Sequence, residues 1–133
     1  MNSYEELEQQ IARLRATPIG IDFINRLDEA IGDISDVRDF SVERVAQAMC
    51  VTSSTLRRHL RRRVGVTPSR YFMQLRLRHA VELFSRNEQL SISVVADRCG
   101  FYDNSHLTRS FLRFMGVTPK SYILSLERGR PLV

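Results

Sequence analysis

Residues Leu56 to Tyr71 read L-R-R-H-L-R-R-R-V-G-V-T-P-S-R-Y, and 51 positions later Leu107 to Tyr122 read L-T-R-S-F-L-R-F-M-G-V-T-P-K-S-Y. Eight of the sixteen aligned pairs are identical: Leu56/Leu107, Arg58/Arg109, Arg62/Arg113, Gly65/Gly116, Val66/Val117, Thr67/Thr118, Pro68/Pro119 and Tyr71/Tyr122. Upstream, Ser41, Val45 and Ala46 return as Ser91, Val95 and Ala96 at an offset of 50, so the second copy holds one extra residue in its turn. An internal repeat fixes the architecture before any single element is read. Each unit is a short helix, a tight turn and a second helix, and the second helix of the first unit is loaded with arginine.

Around the repeat, apolar spacing and capping residues predict helices throughout. Tyr4, Leu7, Ile11 and Leu14 recur at helical spacing, and Thr17-Pro18-Ile19-Gly20 ends that segment. Asp22 is the expected N-cap of a second helix reaching Ile34, with Phe23, Leu27, Ile31 and Ile34 on one face and a loop over 35–39. Ser41 caps a third helix whose Val42, Val45, Ala46 and Met49 point inward. Thr52 or Ser53 caps the next, which runs to about Val64, where Gly65 suits a left-handed stop. Thr67-Pro68 starts the longest helix, to about Ser85, with proline at the first position where its missing N–H costs nothing. Its apolar stripe is Met73, Leu77, Ala80 and Phe84, with Leu83 beside it, and a polar loop over 86–89 follows. Ser91 then opens a helix to Cys99, Asp103 or Asn104 caps one to Met115, and Thr118-Pro119 opens a last helix to about Arg128. No strand pattern occurs. The expected fold is all-α: two helix-turn-helix units joined by a long linker helix, divided as 1–20 (an N-terminal helical arm or linker remnant), 21–86 and 87–133.

Charge is distributed unevenly. The net charge of +5 is the balance of −5 over residues 1–40, +8 over 41–86 and +2 over 87–133. A basic block inside a folded segment is the footprint of a polyanion binder. The 43% apolar content suits a packed core, and no apolar run of 18 residues exists to span a membrane. The polar start, M-N-S-Y-E-E-L-E, is not a secretory leader, so a cytoplasmic, nucleoid-associated protein is expected. Cys50 and Cys99 occupy apolar positions near the ends of matching helices and read as small buried thiols. Neither has metal spacing around it, and no cofactor is expected.

On a helical wheel with Leu56, Leu60 and Val64 inward, Arg58, Ser54 and Arg61 fall on or near the opposite face, with Arg57 and Arg62 at its flanks. With Leu107, Phe111 and Phe114 inward, Ser105, Arg109 and Leu112 face out, and Thr108 and Arg113 flank them. Arg57, Arg58, Arg61, Arg62 and Arg63 have no acidic residue within a turn, so their charge is not offset along the helix. A helix fits the DNA major groove, and the arginine fork matches guanine O6 and N7. The competing class is a helical protein-interaction module whose basic face takes an acidic partner. RNA recognition is disfavoured, since there is no sheet bearing exposed aromatics. An enzyme is not expected: His59, His79 and His106 form no metal pair, and no Ser/His/Asp grouping or phosphate loop appears.

The run Gly100-Phe101-Tyr102-Asp103-Asn104-Ser105-His106-Leu107-Thr108-Arg109-Ser110-Phe111, with Gly116-Val117-Thr118-Pro119 and Tyr122, resembles the signature of the AraC/XylS transcriptional regulators. Arg76, Leu77 and Ala80 after Pro68 and Tyr71 resemble that family's linker helix, and the likeness spans about residues 21–124. It implies a regulator that binds double-stranded DNA, with RNA polymerase as a second partner and two recognition helices in successive major grooves. By position, Ser54, Arg57, Arg58 and Arg61, flanked by Arg62, belong to the first reader. Asn104, Ser105, His106, Thr108 and Arg109, flanked by Arg113, belong to the second. Leu107, Leu112 and Ile123 depart from the family pattern, where Phe, Lys and Arg are common. Residues 22–27 resemble the entry helix of hybrid two-component members, so a stand-alone regulator and a piece of a larger one both fit. Residues 4–16 lie outside the resemblance and offer an apolar stripe for a homodimer or a packed arm.

Overall fold

A computed structural model describes residues 1–32, 41–86 and 89–129. Among them the regular elements are α1 (Ser3–Arg15), α2 (Pro18–Ile31), α3 (Val42–Ala48), α4 (Ser53–Arg63), α5 (Pro68–Ser85), α6 (Ile92–Arg98), α7 (Asn104–Met115) and α8 (Pro119–Arg128). The fold is all-α, and the repeat forms two helix-turn-helix pairs, α3–α4 and α6–α7, joined through α5. The extra residue of the second copy lies in its turn, between Arg98 and Asn104. Thr52 and Asp103 prove to be the N-caps of α4 and α7, accepting from Thr55 N–H and His106 N–H. Ile34, the 35–39 loop and positions 87–88 of the polar loop lie outside the described residues.

The start of α2 differs from the sequence expectation. Thr17, not Asp22, is its N-cap: the threonine side chain accepts from Gly20 N–H and Pro18 takes the first helical turn. The same Thr-Pro device opens α5 and α8, so one capping chemistry serves three times. Gly20 allows the tight corner, because a Cβ there would collide with the Leu14 carbonyl and the Thr17 hydroxyl.

Two cores meet along α5. Leu7, Ile11, Phe23, Ile24, Leu27, Val45, Ala46, Met49, Leu56, Leu60 and Val64 pack with Tyr71 and Phe72 in the first. Leu77, Ala80, Leu83 and Phe84 continue into the second, with Val95, Ala96, Cys99, Phe101, Leu107, Phe111 and Met115. Leu56 and Leu60 are 0% exposed, each stabilising the unit by about 1.5–3 kcal/mol. Four inward assignments are weaker than expected: Ile31, Val42, Met73 and Phe114 are only partly buried, while Met115 and Ser110 are buried on α7.

Residues 3–15 are not a detached arm. Leu7 and Ile11 sit in the first core, and Tyr4 packs against the second, so the stripe that offered a dimer contact is used within the chain. The Asn2 amide donates to the Met115 carbonyl at 3.1 Å, which reaches the end of α7. Gln74, fully buried in the middle of α5, donates from Nε2 to the Tyr4 carbonyl and to Glu8 Oε1, both at 2.9 Å. Glu8 Oε1 also accepts from Arg78 at 2.8 Å. On the neighbouring side, the buried Tyr71 hydroxyl donates to Asp28 Oδ1 at 2.8 Å, and Arg15 donates to Asp28 Oδ2 at 2.9 Å. Burial, followed by the Asp28 carboxylate, raises the Tyr71 phenol far above its ordinary range.

The two thiols part company. Cys99 is buried, and burial pushes its pKa up to about 12. Cys50 is exposed, contrary to the sequence reading, because the repeat aligns it with Gly100 in the turn and aligns Met49 with Cys99. Both turn residues have positive φ, 61° at Cys50 and 79° at Gly100, a region that penalises any side chain bearing a Cβ.

Two outcomes are expected. Glu8→Ala leaves the Gln74 amide and the Arg78 guanidinium short of an acceptor and should cost about 1–3 kcal/mol in urea unfolding. Cys50→Gly should instead stabilise by roughly 0.5–1 kcal/mol, read as a rise in melting temperature; an unchanged or lower value would contradict the strain assigned to that turn.

Candidate nucleic-acid interface

The inward face of α4 consists of Leu56 and Leu60, with Val64 at its C-cap, so the outward face is fixed by the helical period. Ser54, Arg57, Arg58, Arg61 and Arg62 are all exposed, as the wheel predicts. Among the described residues none of these four arginines has a carboxylate partner, whereas Arg15 pairs with Asp28 and Arg78 with Glu8. Arg58 folds back to donate to the Thr55 hydroxyl at 3.3 Å, a long contact that is cheap to release. Arg63 behaves differently. Its guanidinium carbon lies 5.1 Å from the Phe23 ring centroid, so it covers the α2–α4 junction. His59 stands beside it, edge-on to Phe23 at 6.4 Å.

On α7, Asn104, Ser105, Arg109 and Arg113 are exposed and Thr108 is partly so. The Thr108 hydroxyl donates to Asn104 Oδ1 at 3.3 Å, holding two polar side chains together at the start of the helix. Leu112 is 50% exposed on the same side, where α4 has Arg61. Tyr102, 86% exposed in the turn just ahead of α7, is an aromatic that the sequence reading did not single out. Nothing in periodicity marks it; only its neighbour Phe101, fully buried, shows which of the pair serves the core.

His106 has a second occupation. Its Nδ1 accepts from the Tyr102 backbone N–H at 3.0 Å, and its ring meets Phe101 edge-on at 5.3 Å. That bond needs the neutral imidazole with its proton on Nε2. Burial, then the charges of Arg76 and Arg109, lower its pKa below the ordinary value, with Asp103 acting in the opposite sense. His106 therefore ties the turn to the helix while its other nitrogen remains available beside Arg109.

Arg70 was also absent from the sequence candidates. It follows the Thr67 cap and lines a cleft of about 610 Å³ together with Arg109 and Arg113. The signal was present as a break in the repeat, since Ser121 stands at the matching place in the second copy.

Two helix pairs with tight turns, each presenting a polar and cationic outer face on its second helix, define a double helix-turn-helix DNA-binding domain. A family profile described as "Helix-turn-helix domain" matches residues 26–124. The transcriptional activator RhaS of Escherichia coli is 37% identical over 86 residues, 65% of this chain and 29% of the relative. RhaS from an Enterobacter species is 33% identical over 107 residues, 79% of this chain and 37% of the relative. The chain thus spans about a third of the length of these curated relatives. Among solved structures, the DNA-binding domain of AdpA, a global transcriptional factor in complex with a target DNA, superposes with a TM-score of 0.72 at 25% identity. That match covers 83% of this chain and 96% of that one. An AraC-type regulator from Chromobacterium violaceum gives a TM-score of 0.70 at 22% identity, over 83% and 99% of the two chains, a likeness of fold. The chain belongs to the AraC/XylS family and comprises its DNA-binding module.

The His106 contact sets a pH dependence. Its folded pKa lies below the unfolded value of about 6.5, so the folded chain binds fewer protons than the unfolded one as pH falls through that region. The stability it contributes is therefore complete above about pH 6.5 and declines on acidification toward the folded pKa. The stability difference between the wild type and His106→Gln should shrink as pH drops from 8 to 5; a difference that stays constant would remove the role given to Nδ1.

Proposed function

We propose that this domain binds duplex DNA with sequence preference, α4 and α7 occupying adjacent major grooves on one face, and that it thereby regulates transcription. The observation that carries this reading is the outer face of α4, four guanidinium groups without a carboxylate partner among the described residues, on a helix held by its buried leucines. A polyanion relieves that mutual repulsion, and counterion release from phosphates makes the association salt-dependent. AdpA in complex with a target DNA and the RhaS activators support the same reading. The protein-interaction alternative has no comparable support.

Within this proposal, Arg58 and Arg109, at matching positions of the repeat, read base edges, with Ser54, Arg57 and Arg61 beside the first and Asn104, Ser105 and Thr108 beside the second. Arg62 and Arg113 lie one turn further along, where a helix entering N-terminus first draws away from the bases, and they meet phosphate. His106 contributes mainly by fixing the turn. Residues 21–86 and 87–133 form the two reading units, one chain supplying both. RNA polymerase is the proposed protein partner, and the cytoplasm with its nucleoid the proposed site of action.

The test begins with a duplex selected from a random pool, followed by salt titrations on that duplex and on a scrambled one. Arg58→Ala should cost about 1–3 kcal/mol on the selected duplex and relax preference at one or two base pairs. Arg62→Ala should weaken both duplexes alike and lower the log–log salt slope by roughly one unit. Equal weakening of both duplexes by Arg58→Ala would overturn its assignment as a reader.

A further inference from the structure

The cleft between the start of α5 and one side of α7 gathers three arginines over an apolar floor of Met73 and Phe114. Arg70 enters it from α5, Arg109 and Arg113 from α7, and the Ser69 and Ser110 hydroxyls lie beside them. Among the described residues no carboxylate lines it. One aromatic ring, Phe114, carries two of the three charges: the Arg70 guanidinium carbon is 4.1 Å from its centroid and that of Arg113 is 5.1 Å away. Two guanidinium groups on one ring repel each other, and the ring quadrupole offsets only part of that repulsion. Burial and the nearby Arg113 both weaken the hold of Arg70 on its proton. Arg70 Nη2 donates to the Ser3 carbonyl at 3.3 Å, whereas Nη1, shut off from solvent, has no partner. The site thus presents guanidinium donors that no carboxylate among the described residues answers.

Its place in the fold says which anion. Thr67 and Ser69 follow directly on the Gly65 turn that ends the first helix-turn-helix pair, and the opposite wall is the recognition helix of the second. In the docking proposed above, a DNA strand running from the groove taken by α4 to the groove taken by α7 would cross between these walls. The repeat points the same way, because arginine occupies this position only in the copy that faces the other unit, and Ser121 replaces it in the copy that does not.

We propose that the cleft is a phosphate site, holding one backbone phosphodiester from the segment between the two grooves, with Arg70 as its central donor. A guanidinium gripping two phosphate oxygens in parallel suits both the planar fork and the cavity. This rests on the DNA-binding reading above and adds to it a residue that contributes affinity without reading sequence.

The experiment uses the selected duplex with each phosphate of the central segment replaced in turn by an uncharged methylphosphonate. It compares the wild type, Arg70→Gln, Arg70→Lys and Arg58→Ala. Neutralising one or two central phosphates should weaken the wild type by about tenfold. The same change should weaken Arg70→Gln by less than about twofold, the signature of a coupled pair, with Arg70→Lys in between and Arg58→Ala as sensitive as the wild type. Arg70→Lys keeps an aliphatic stem against Phe114, and melting curves of all variants separate a packing defect from lost coupling. Equal sensitivity of the wild type and Arg70→Gln at every central phosphate overturns the proposal while leaving DNA binding intact. Arg70-dependent stabilisation by millimolar inorganic phosphate, with no coupling to any DNA phosphate, would reassign the site to a free anion and also overturn it. Failure of the wild type to prefer any duplex would sink the DNA reading itself.

Discussion

One continuous helix belongs to two cores. Tyr71 and Phe72 complete the first, and within two turns Leu77 and Ala80 begin the second, so α5 fixes how the two units face each other. An uninterrupted 18-residue helix transmits orientation because bending it requires lengthening or breaking backbone hydrogen bonds. The junction between the cores is polar, however: Gln74 stands there, fully buried. A buried amide is tolerated only with partners, and α1 supplies them through the Tyr4 carbonyl and Glu8. The N-terminal helix is thus a strut across the seam. Its apolar residues Leu7 and Ile11 enter one core, Tyr4 leans on the other, and Asn2 reaches the end of α7.

That packing also sorts charge. The acidic segment places Glu8 against Arg78 and Asp28 against Arg15 and Tyr71, at the seam between α1, α2 and α5. These carboxylates are then committed, and among the described residues the outward arginines of α4 have no carboxylate partner. Such a surface costs self-repulsion in the free protein. The leucines beneath it, together with the Thr52 cap, bear that cost locally.

Most of the helices could be read from the sequence because their signals are local. Ser41, Thr67, Ser91 and Thr118 cap where expected, and Gly65 and Gly116 take left-handed conformations. The errors came where a local signal had two meanings. Thr17-Pro18 reads equally as an end and as a start, and only the packing of α1 against α2 makes it a corner. Cys50 looked apolar, yet the offset of the repeat at that point assigns it to the turn, opposite Gly100. Outward residues of α4 followed from the wheel because one face is fully buried. Gln74, Arg70 and the second role of His106 depend on partners 70, 67 and 4 residues away, and no window along the chain contains the first two of those contacts.

The repeat separates structural residues from the rest. Of its identical pairs, Leu56/Leu107 are buried, Gly65/Gly116 have positive φ, Thr67/Thr118 cap, Pro68/Pro119 open helices and Tyr71/Tyr122 pack. Val66 leans on the first core, whereas Val117 is exposed, so that pair serves packing in one unit only. The tyrosines already differ in use: Tyr71 donates to Asp28, while the Tyr122 ring lies against Phe84 and Phe111 at 6.3 and 5.4 Å. Two identical charged pairs remain that the fold does not require, Arg58/Arg109 and Arg62/Arg113, all four exposed. In each unit they stand four residues apart, one turn along a single helical face. Packing alone does not call for the same two cations at the same two places on both helices. A ligand that presents the same chemistry to each unit would, and a duplex, whose base edges and phosphates recur from one groove to the next, fits the roles proposed for the two pairs.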